Sequence, residues 1–510
     1  MVKEKSKNGR AGGILLHPTS LPGRDGIGDL GDGALHWLDW LKSTGCSIWQ
    51  VLPLGPTGYG DSPYQSFSTK AGNPMLIDLR ALIGDGLLRN EDFNFDETFS
   101  EDRVEYGPVI QHKDGLLRLA SERFRSGSGE KLRVDYQAFC LDHQEWLDEF
   151  SLFMALKEAN SGAPWPSWDQ SLRQRVPEAI EGAKIELAEK IEDHKLRQFL
   201  FFRQWTIIRR KAENLGIKII GDVPIFLAHD SADVWTNFEL FHLDREGMPT
   251  VVAGVPPDYF SPTGQLWGNP LYRWDLLKEE DYAWWVSRMK SVLSLVDVVR
   301  LDHFRGFEAY WEIPAEAPTA ETGRWVKGPG SEFFSTIQQE LGELPLIAED
   351  LGVITPGVEK LRESYNLPGM KVLQFAFDGD SENDFLPHNY PTRCLVYTGT
   401  HDNDTTTGWF QNASDDERDY CRRYLASSGD DIAWALIRSA WSSVADIAIA
   451  PMQDFLSLGS KARMNYPSRA EGNWTWRVNE RELTASLAGR IWELNSLYGR
   501  LDSYDRKAAD

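Results

Sequence analysis

Apolar residues gather in eight short, β-branched runs along this chain, at residues 14–20, 48–54, 218–225, 297–304, 345–352, 372–377, 394–402 and 445–454. Several read without polar alternation, as in Ile219-Ile220, Val298-Val299 and Leu346-Ile347. That is the pattern of strands covered on both faces in a parallel sheet. Each run ends in polar residues. Between the runs lie stretches whose apolar positions recur at helical spacing, among them 32–43, 193–214 and 284–295. Eight such strands alternating with helices predict an α/β fold, a (β/α)8 TIM barrel.

Two intervals are too long for simple crossovers. Residues 59–193 open in Gly/Pro-rich turns and continue in charge-rich helical segments such as 177–193, which predicts a mainly helical subdomain inserted after strand 2. Residues 226–285, rich in Pro, Gly and aromatics, predict a second insertion after strand 3 that serves as a lid over an acceptor. Both follow barrel strands, so both rise over the C-terminal face, where such barrels keep their chemistry. The chain ends at Asp510, soon after the eighth run. Residues 1–510 therefore read as one catalytic barrel with no separate C-terminal β-domain.

Composition narrows the partners. With 41% hydrophobic and 26% charged residues and no biased tract or repeat, this is an ordinary folded globular chain. Its 77 acidic against 54 basic residues give −23, a charge that repels phosphate backbones and anionic membranes. Nucleic acid and membrane surfaces are thereby excluded as expected partners, while a neutral ligand is compatible. No run of about 18 apolar residues exists to span a bilayer. The four cysteines are scattered, and polar residues 1–13 are not followed by an apolar signal core. A reduced cytoplasmic protein is expected, with a removed plastid leader left open. The 20 Trp and 16 Tyr mostly fill a large core. Some stand beside polar or Gly residues, as in Trp267-Gly268-Asn269 and Asn473-Trp474-Thr475-Trp476, where an aromatic face suits stacking on a sugar ring.

Three strand ends carry carboxyl groups. In Val298-Val299-Arg300-Leu301-Asp302-His303, if Val299 and Leu301 face the helices, Arg300 and Asp302 both point into the barrel mouth by strand alternation. Arg300 would then keep Asp302 ionised, as a nucleophile requires. Glu349 follows the wholly apolar Leu346-Ile347-Ala348, and Thr400-His401-Asp402-Asn403 closes another strand with a His–Asp pair. Singly, each reads as a helix cap or an ion-pair partner. Together they fit glycosidic bond exchange with retention, in which one carboxylate attacks the anomeric carbon while a protonated one donates to the leaving oxygen. That division of labour demands two carboxyls in different environments.

These three motifs resemble the core of the amylomaltases (4-α-glucanotransferases or disproportionating enzymes, glycoside hydrolase family 77, α-amylase clan). So do His17-Pro18-Thr19-Ser20, Gly58-Tyr59-Gly60-Asp61-Ser62-Pro63-Tyr64, Gly221-Asp222-Val223-Pro224, Asp258-Tyr259-Phe260-Ser261, Gln265-Leu266-Trp267-Gly268-Asn269-Pro270 and Arg463-Met464-Asn465. The matching motifs run from about residue 13 to about 477. Tyr466 and Ser468 depart from the family pattern in one acceptor-side loop. The resemblance implies a retaining transferase that moves segments of α-1,4-glucans and maltooligosaccharides through a covalent glycosyl-enzyme, and it implies no cofactor. Asp302 would be the nucleophile, Glu349 the acid and then the base, and Asp402 the group that holds the sugar and stabilises the transition state. Arg300, His303 and His401 would bond the nucleophile or the transferred glucose, and Asp222 would support the sugar or the arginine. Tyr64 would be the stacking platform of the donor sugar, with Ser62 and Asn465 as further contacts. Tyr259, Phe260, Gln265 and Trp267 would form an aromatic lid, and Tyr59 a second, outlying glucan contact.

No metal site is evident, because the ten histidines have no ligand spacing and residues 402–404 lack the glycine and distal glutamate of a calcium loop. Lys70 and Arg305 suit phosphates, but no glycine-rich cradle precedes a helix. The readings left beside transfer are an amylase-like hydrolase on the same barrel, a catalytically silent glucan-binding protein and a barrel enzyme for phosphorylated substrates. The sequence carries no signal of oligomeric state.

Overall fold

The computed structural model describes residues 9–93, 98–257, 261–467, 469 and 471–502. In chain order the strands are β1 (Ala11–Leu15), β2 (Ile48–Gln50), β3 (Lys218–Pro224), β4 (Val251–Val255), β5 (Gln265–Pro270) and β6 (Val298–Asp302). They continue with β7 (Ala309–Pro314), β8 (Arg324–Lys327), β9 (Leu346–Ala348), β10 (Gly369–Val372), β11 (Cys394–Tyr397) and β12 (Ile447–Pro451). Eight of them form one parallel sheet in the order β10-β11-β12-β1-β2-β3-β6-β9. Ala348 N donates to Pro368 O at 2.9 Å, joining β9 to the entry of β10 and curling the sheet into a barrel. No helix among the described residues is long and apolar enough to cross a membrane.

The barrel strands are shorter than the apolar runs that predict them. Pro18–Ser20, Phe304–Phe307 and Leu373–Phe375 are single 3-10 turns, and Met452–Phe455 is a short helix. Apart from Phe375, their side chains stay buried after the ladder stops, so hydrophobicity runs on where hydrogen bonding does not.

Aromatic side chains occupy the space between sheet and helices. Trp49 on β2 meets Trp37 of the helix Asp32–Ser43 at 6.3 Å and Trp205 of the helix Ala188–Leu215 at 6.2 Å, and all three are buried. Truncating such a residue to alanine costs about 3–5 kcal/mol. The C-terminal segment belongs to this same barrel. Asn495, on the helix Ala485–Leu497, accepts from Trp441 Nε1 at 2.8 Å and donates to Thr44 O at 3.0 Å. A Cβ at Gly12 on β1 would stand 2.2 Å from its Oδ1, so only glycine fits there. Arg500 is fully buried, and donates to the carbonyls of Ala11, Trp441 and Ala445.

Between β2 and β3 lie the helices Tyr106–Arg125, Arg133–Asp142, Gln144–Ala159 and Pro177–Glu186, followed by Ala188–Leu215, which Gly216 terminates at φ 72°. The interval 226–285 does not complete its sheet alone. Its strands β4 and β5 are half of an antiparallel sheet of order β5-β4-β7-β8. The other half comes from a third insertion, after β6, which the sequence reading of two insertions lacks. Ala-Tyr-Trp-Glu-Ile-Pro on β7 carries the aromatic and β-branched residues of a strand. It begins so soon after the barrel run that the two read as one strand and its exit.

Candidate active site

Register brings the first group together. Parallel pairing of β3 with β6 sets Asp222 beside Arg300 and Pro224 beside Asp302. Arg300 and Asp302 share one side of β6, as alternation requires. Arg300 Nη1 spans two carboxylates, Asp222 Oδ2 at 2.6 Å and Asp302 Oδ1 at 2.9 Å. Burial opposes its charge, but Asp222 and Asp302 outweigh it and hold the guanidinium well above its usual range. Asp222 is enclosed and its carboxyl is pushed up by burial, with Arg300 opposing. Tyr64 donates to Asp222 Oδ2 at 2.9 Å. The Asp302 side chain, 31% exposed, opens into the mouth.

Glu349 follows β9. Its backbone N–H donates to Leu301 O at 3.0 Å, which fixes the chain beside Asp302. Its carboxylate accepts from His303 N at 2.7 Å through Oε2 and from Leu351 N at 3.2 Å through Oε1. His303 can make that bond because it sits in the left-handed region, φ 56° and ψ 49°, a strained position for a residue with a side chain. Burial, and next the neighbouring Asp302, push the Glu349 carboxyl up to about 8. Enclosure also lowers the His303 imidazole to about 4, which leaves it neutral. Trp267 on β5 meets the His303 ring at 4.8 Å and 83°. Behind Glu349, Asp350 accepts from Met370 N at 2.7 Å and from Arg362 Nη1 at 2.9 Å, tying the seam between β9 and β10.

The third carboxylate, Asp402, lies in the loop after β11. Enclosure by the mouth disfavours its charge, but His401 Nε2 at 3.3 Å from Oδ2 and Asn465 Nδ2 at 2.6 Å from Oδ1 outweigh this. The carboxyl is held below the usual range as a result. Burial works against a charge on His401, and Asp402 reverses that and raises it. Tyr64 stacks on the His401 ring at 5.0 Å and 16°, and Trp474 lies 5.9 Å from both rings. Beneath this loop the buried Asp454 accepts from Thr398 Oγ1, Thr406 Oγ1 and Thr406 N at 2.5, 2.7 and 2.7 Å.

The remaining sequence candidates are spread more widely. Gln265 Oε1 accepts from Trp267 Nε1 at 3.1 Å and so orients that indole. Ser62 Oγ accepts from Tyr64 N at 3.3 Å, a contact within its own turn that joins no carboxylate. Tyr59 is 77% exposed, on a turn that Gly60 makes at φ 67°. Tyr259 and Phe260 lie outside the described residues, as does Ser468. Three further residues contribute: Trp474, read in the sequence as an aromatic suited to sugar stacking; Arg463, read there within a family motif, whose Nη2 donates to Asp402 O at 2.6 Å; and Met370, not read there, whose sulfur accepts from Arg300 Nε at 3.3 Å. The Asn-Trp-Thr-Trp motif marks Trp474, but nothing local marks Met370.

The glycoside hydrolase 77 family model, described as 4-alpha-glucanotransferase, matches residues 16–484. A 4-alpha-glucanotransferase of Thermus thermophilus is 55% identical over 94% of this chain and 97% of its own. One of Synechocystis sp. is 50% identical over 96% and 98%. The solved amylomaltase of Streptococcus agalactiae in complex with acarbose superposes with a TM-score of 0.94, at 39% identity over 97% of this chain and all of its own. This chain belongs to the 4-α-glucanotransferase family.

For a 4-α-glucanotransferase, the departure at Tyr466 has a local account. Its ring lies between the guanidinium groups of Arg463 and Arg469, at 4.7 and 4.8 Å, and its hydroxyl donates to Ser460 O at 2.8 Å. The loop that supplies Asn465 to Asp402 is braced by these contacts of Tyr466 with Arg463, Arg469 and Ser460.

Proposed function

We propose that this 4-α-glucanotransferase transfers α-1,4-glucan segments between maltooligosaccharides by a retaining double displacement. Asp302 attacks the anomeric carbon while protonated Glu349 gives its proton to the departing glycosidic oxygen. The first product leaves, with the remaining glucan bonded to Asp302. The 4-hydroxyl of an acceptor then passes its proton to Glu349 as its oxygen attacks the same carbon and releases the Asp302 carboxylate. Asp402 bonds hydroxyls of the transferred glucose and stabilises the oxocarbenium-like transition state, helped by His401 and Asn465.

The observation that carries this division of roles is the opposed setting of two neighbouring carboxyls. Asp302 is ion-paired with Arg300 at 2.9 Å, whereas the hydrogen-bond partners of Glu349 among the described residues are backbone N–H groups, and its carboxyl is pushed up to about 8. A group paired with a guanidinium suits attack, and one that keeps its proton near neutral pH suits donation. Tyr64, with one face on His401, offers the other to the donor sugar. Trp267, together with Tyr259 and Phe260, would form the lid that keeps water from the glycosyl-enzyme and admits an acceptor chain. Tyr59 would be an outlying glucan contact. The four unpaired cysteines suit a cytoplasmic protein.

Purified protein incubated with maltotriose alone tests the reading. A ladder of longer maltooligosaccharides with released glucose is the expected product. Glucose and maltose without longer products would make the protein a hydrolase on the same barrel, and unchanged maltotriose would leave a glucan-binding protein.

A further inference from the structure

The small sheet presents a second aromatic surface that the reaction above does not use. Its pairing sets Leu266, Gly254, Trp311 and Trp325 side by side across β5, β4, β7 and β8. Residues directly opposed across strands share one face, so this row lies opposite the face that carries Trp267 to His303. Within the row Trp311 is half-buried, its Nε1 donating to Ala320 O at 2.9 Å. Trp325, on the edge strand β8, is 41% exposed. Arg305 covers one face of that indole, its guanidinium 3.8 Å from the ring centroid, and Trp311 meets it edge-on at 5.1 Å. The side chain is thus held flat while the rest of its surface meets water.

Trp325 is also joined to the catalytic mouth. Arg305 follows Asp302 and His303 in the turn after β6, and its Nη1 donates to Val353 O, in the loop that Glu349 begins. Val353 is 62% exposed, and exposed Lys327, two residues along β8 and on the same face, adds a hydrogen-bond donor, whereas Arg324 turns to the other face and pairs with Glu312. The exposed indole, Leu266 at the far end of the row (42% exposed) and Val353 are separate apolar spots interrupted by the cations of Arg305 and Lys327, not the continuous apolar patch a stable protein interface needs. They suit the apolar C–H face and outward hydroxyls of a pyranose ring.

We infer that Trp325, backed by Arg305, is an outer stacking platform for an α-glucan chain leaving the catalytic mouth, engaged by chains longer than the smallest substrates. The inference rests on the glucanotransferase reading.

Two measurements test it. In native gels containing amylose, with Asp302→Asn as the background so that the amylose is not consumed, Trp325→Ala should reduce retardation. Kinetically, Trp325→Ala alone should raise KM for amylose about fivefold, the loss of one stacking contact. Its kcat/KM on maltotriose should stay within about twofold of the parent, and Trp325→Phe should keep most of the retardation. Equal retardation and equal amylose KM in parent and Trp325→Ala would overturn the platform, as would a loss of the same size on maltotriose and amylose. So would a change of sedimentation coefficient with unchanged retardation, which would give this face to a second copy of the chain. Failure of the parent to disproportionate maltotriose would instead overturn the transferase reading, and the gel comparison would still decide the platform.

Discussion

If Glu349 is the proton donor, the rate must fall at alkaline pH, at a position its surroundings set. A glutamate in an unstructured chain titrates near 4.3, whereas burial and then the charge of Asp302 push Glu349 up to about 8. The sign follows directly: the protonated form is present below that value and is lost as pH rises through it. One pH unit below the midpoint about 90% of the molecules carry the proton, and one unit above about 10% do. The quantity that reports the free enzyme's groups is kcat/KM, and it should fall about tenfold per unit above about pH 8. The assay is initial glucose release from low maltotriose across the pH range, with far-UV circular dichroism at each point to show that the fold persists. A profile flat to about pH 10, or one already falling near pH 5, would refute the assignment of the acid to Glu349.

The same reasoning predicts the effect of Asp302 on its neighbour. Asp302→Asn removes the second contribution to the shift, so the Glu349 carboxyl, followed by carbon-13 NMR, should titrate at lower pH than in the parent. An unmoved midpoint would show that burial alone sets it.

Activity measurements probe the other groups. Asp302→Asn should fold normally and lose roughly 10⁴-fold or more in kcat, because no nucleophile remains; near-normal turnover would remove its role. Glu349→Gln should lose roughly 10²–10⁴-fold on ordinary glucans and far less on an activated aryl glycoside, whose leaving group needs no proton. Losses of equal size would count against the acid. Trp267→Ala should raise the ratio of hydrolysis to transfer several-fold, read as free glucose against longer products; a constant ratio would remove the lid's role. Asp454→Ala strands three buried donors and should cost about 3 kcal/mol, seen as a Tm lower by about 3 °C together with reduced kcat, since the loop bearing His401 and Asp402 rests on it.

The parts of this site that lie within one strand were legible in the sequence. Arg300 and Asp302 share a face because strand alternation is local, and Glu349 stands out because an acid ends a run with no other polar residue. Contacts that depend on barrel closure were not legible in the same way. Tyr64 reaches Asp222 across 158 residues and Asn465 reaches Asp402 across 63. Met370 comes under Arg300 only because β10 closes the sheet against β9. The family motifs pointed to most of these residues, but not to which partner each one takes. The four-stranded sheet was missed for a related reason: its strands come from two insertions, and neither half has enough paired edges to look like a sheet alone.

That sheet bears on why transfer should dominate hydrolysis. Trp267, which meets His303, lies on β5; β5 is held through β4 to β7, and β7 begins seven residues after Asp302. His303, in its strained left-handed conformation, donates to Glu349 with its backbone and receives Trp267 against its ring. The proposed nucleophile, acid and lid indole are thus tied to one short segment, 302–309. A lid that swung independently could uncover the glycosyl-enzyme without disturbing the carboxyls, and water would then compete with the acceptor. Here a movement large enough to admit bulk water at Trp267 would also pull on His303, which bonds Glu349, so the site would lose its proposed base as it became wet. Such coupling would suppress hydrolysis beyond what exclusion alone achieves.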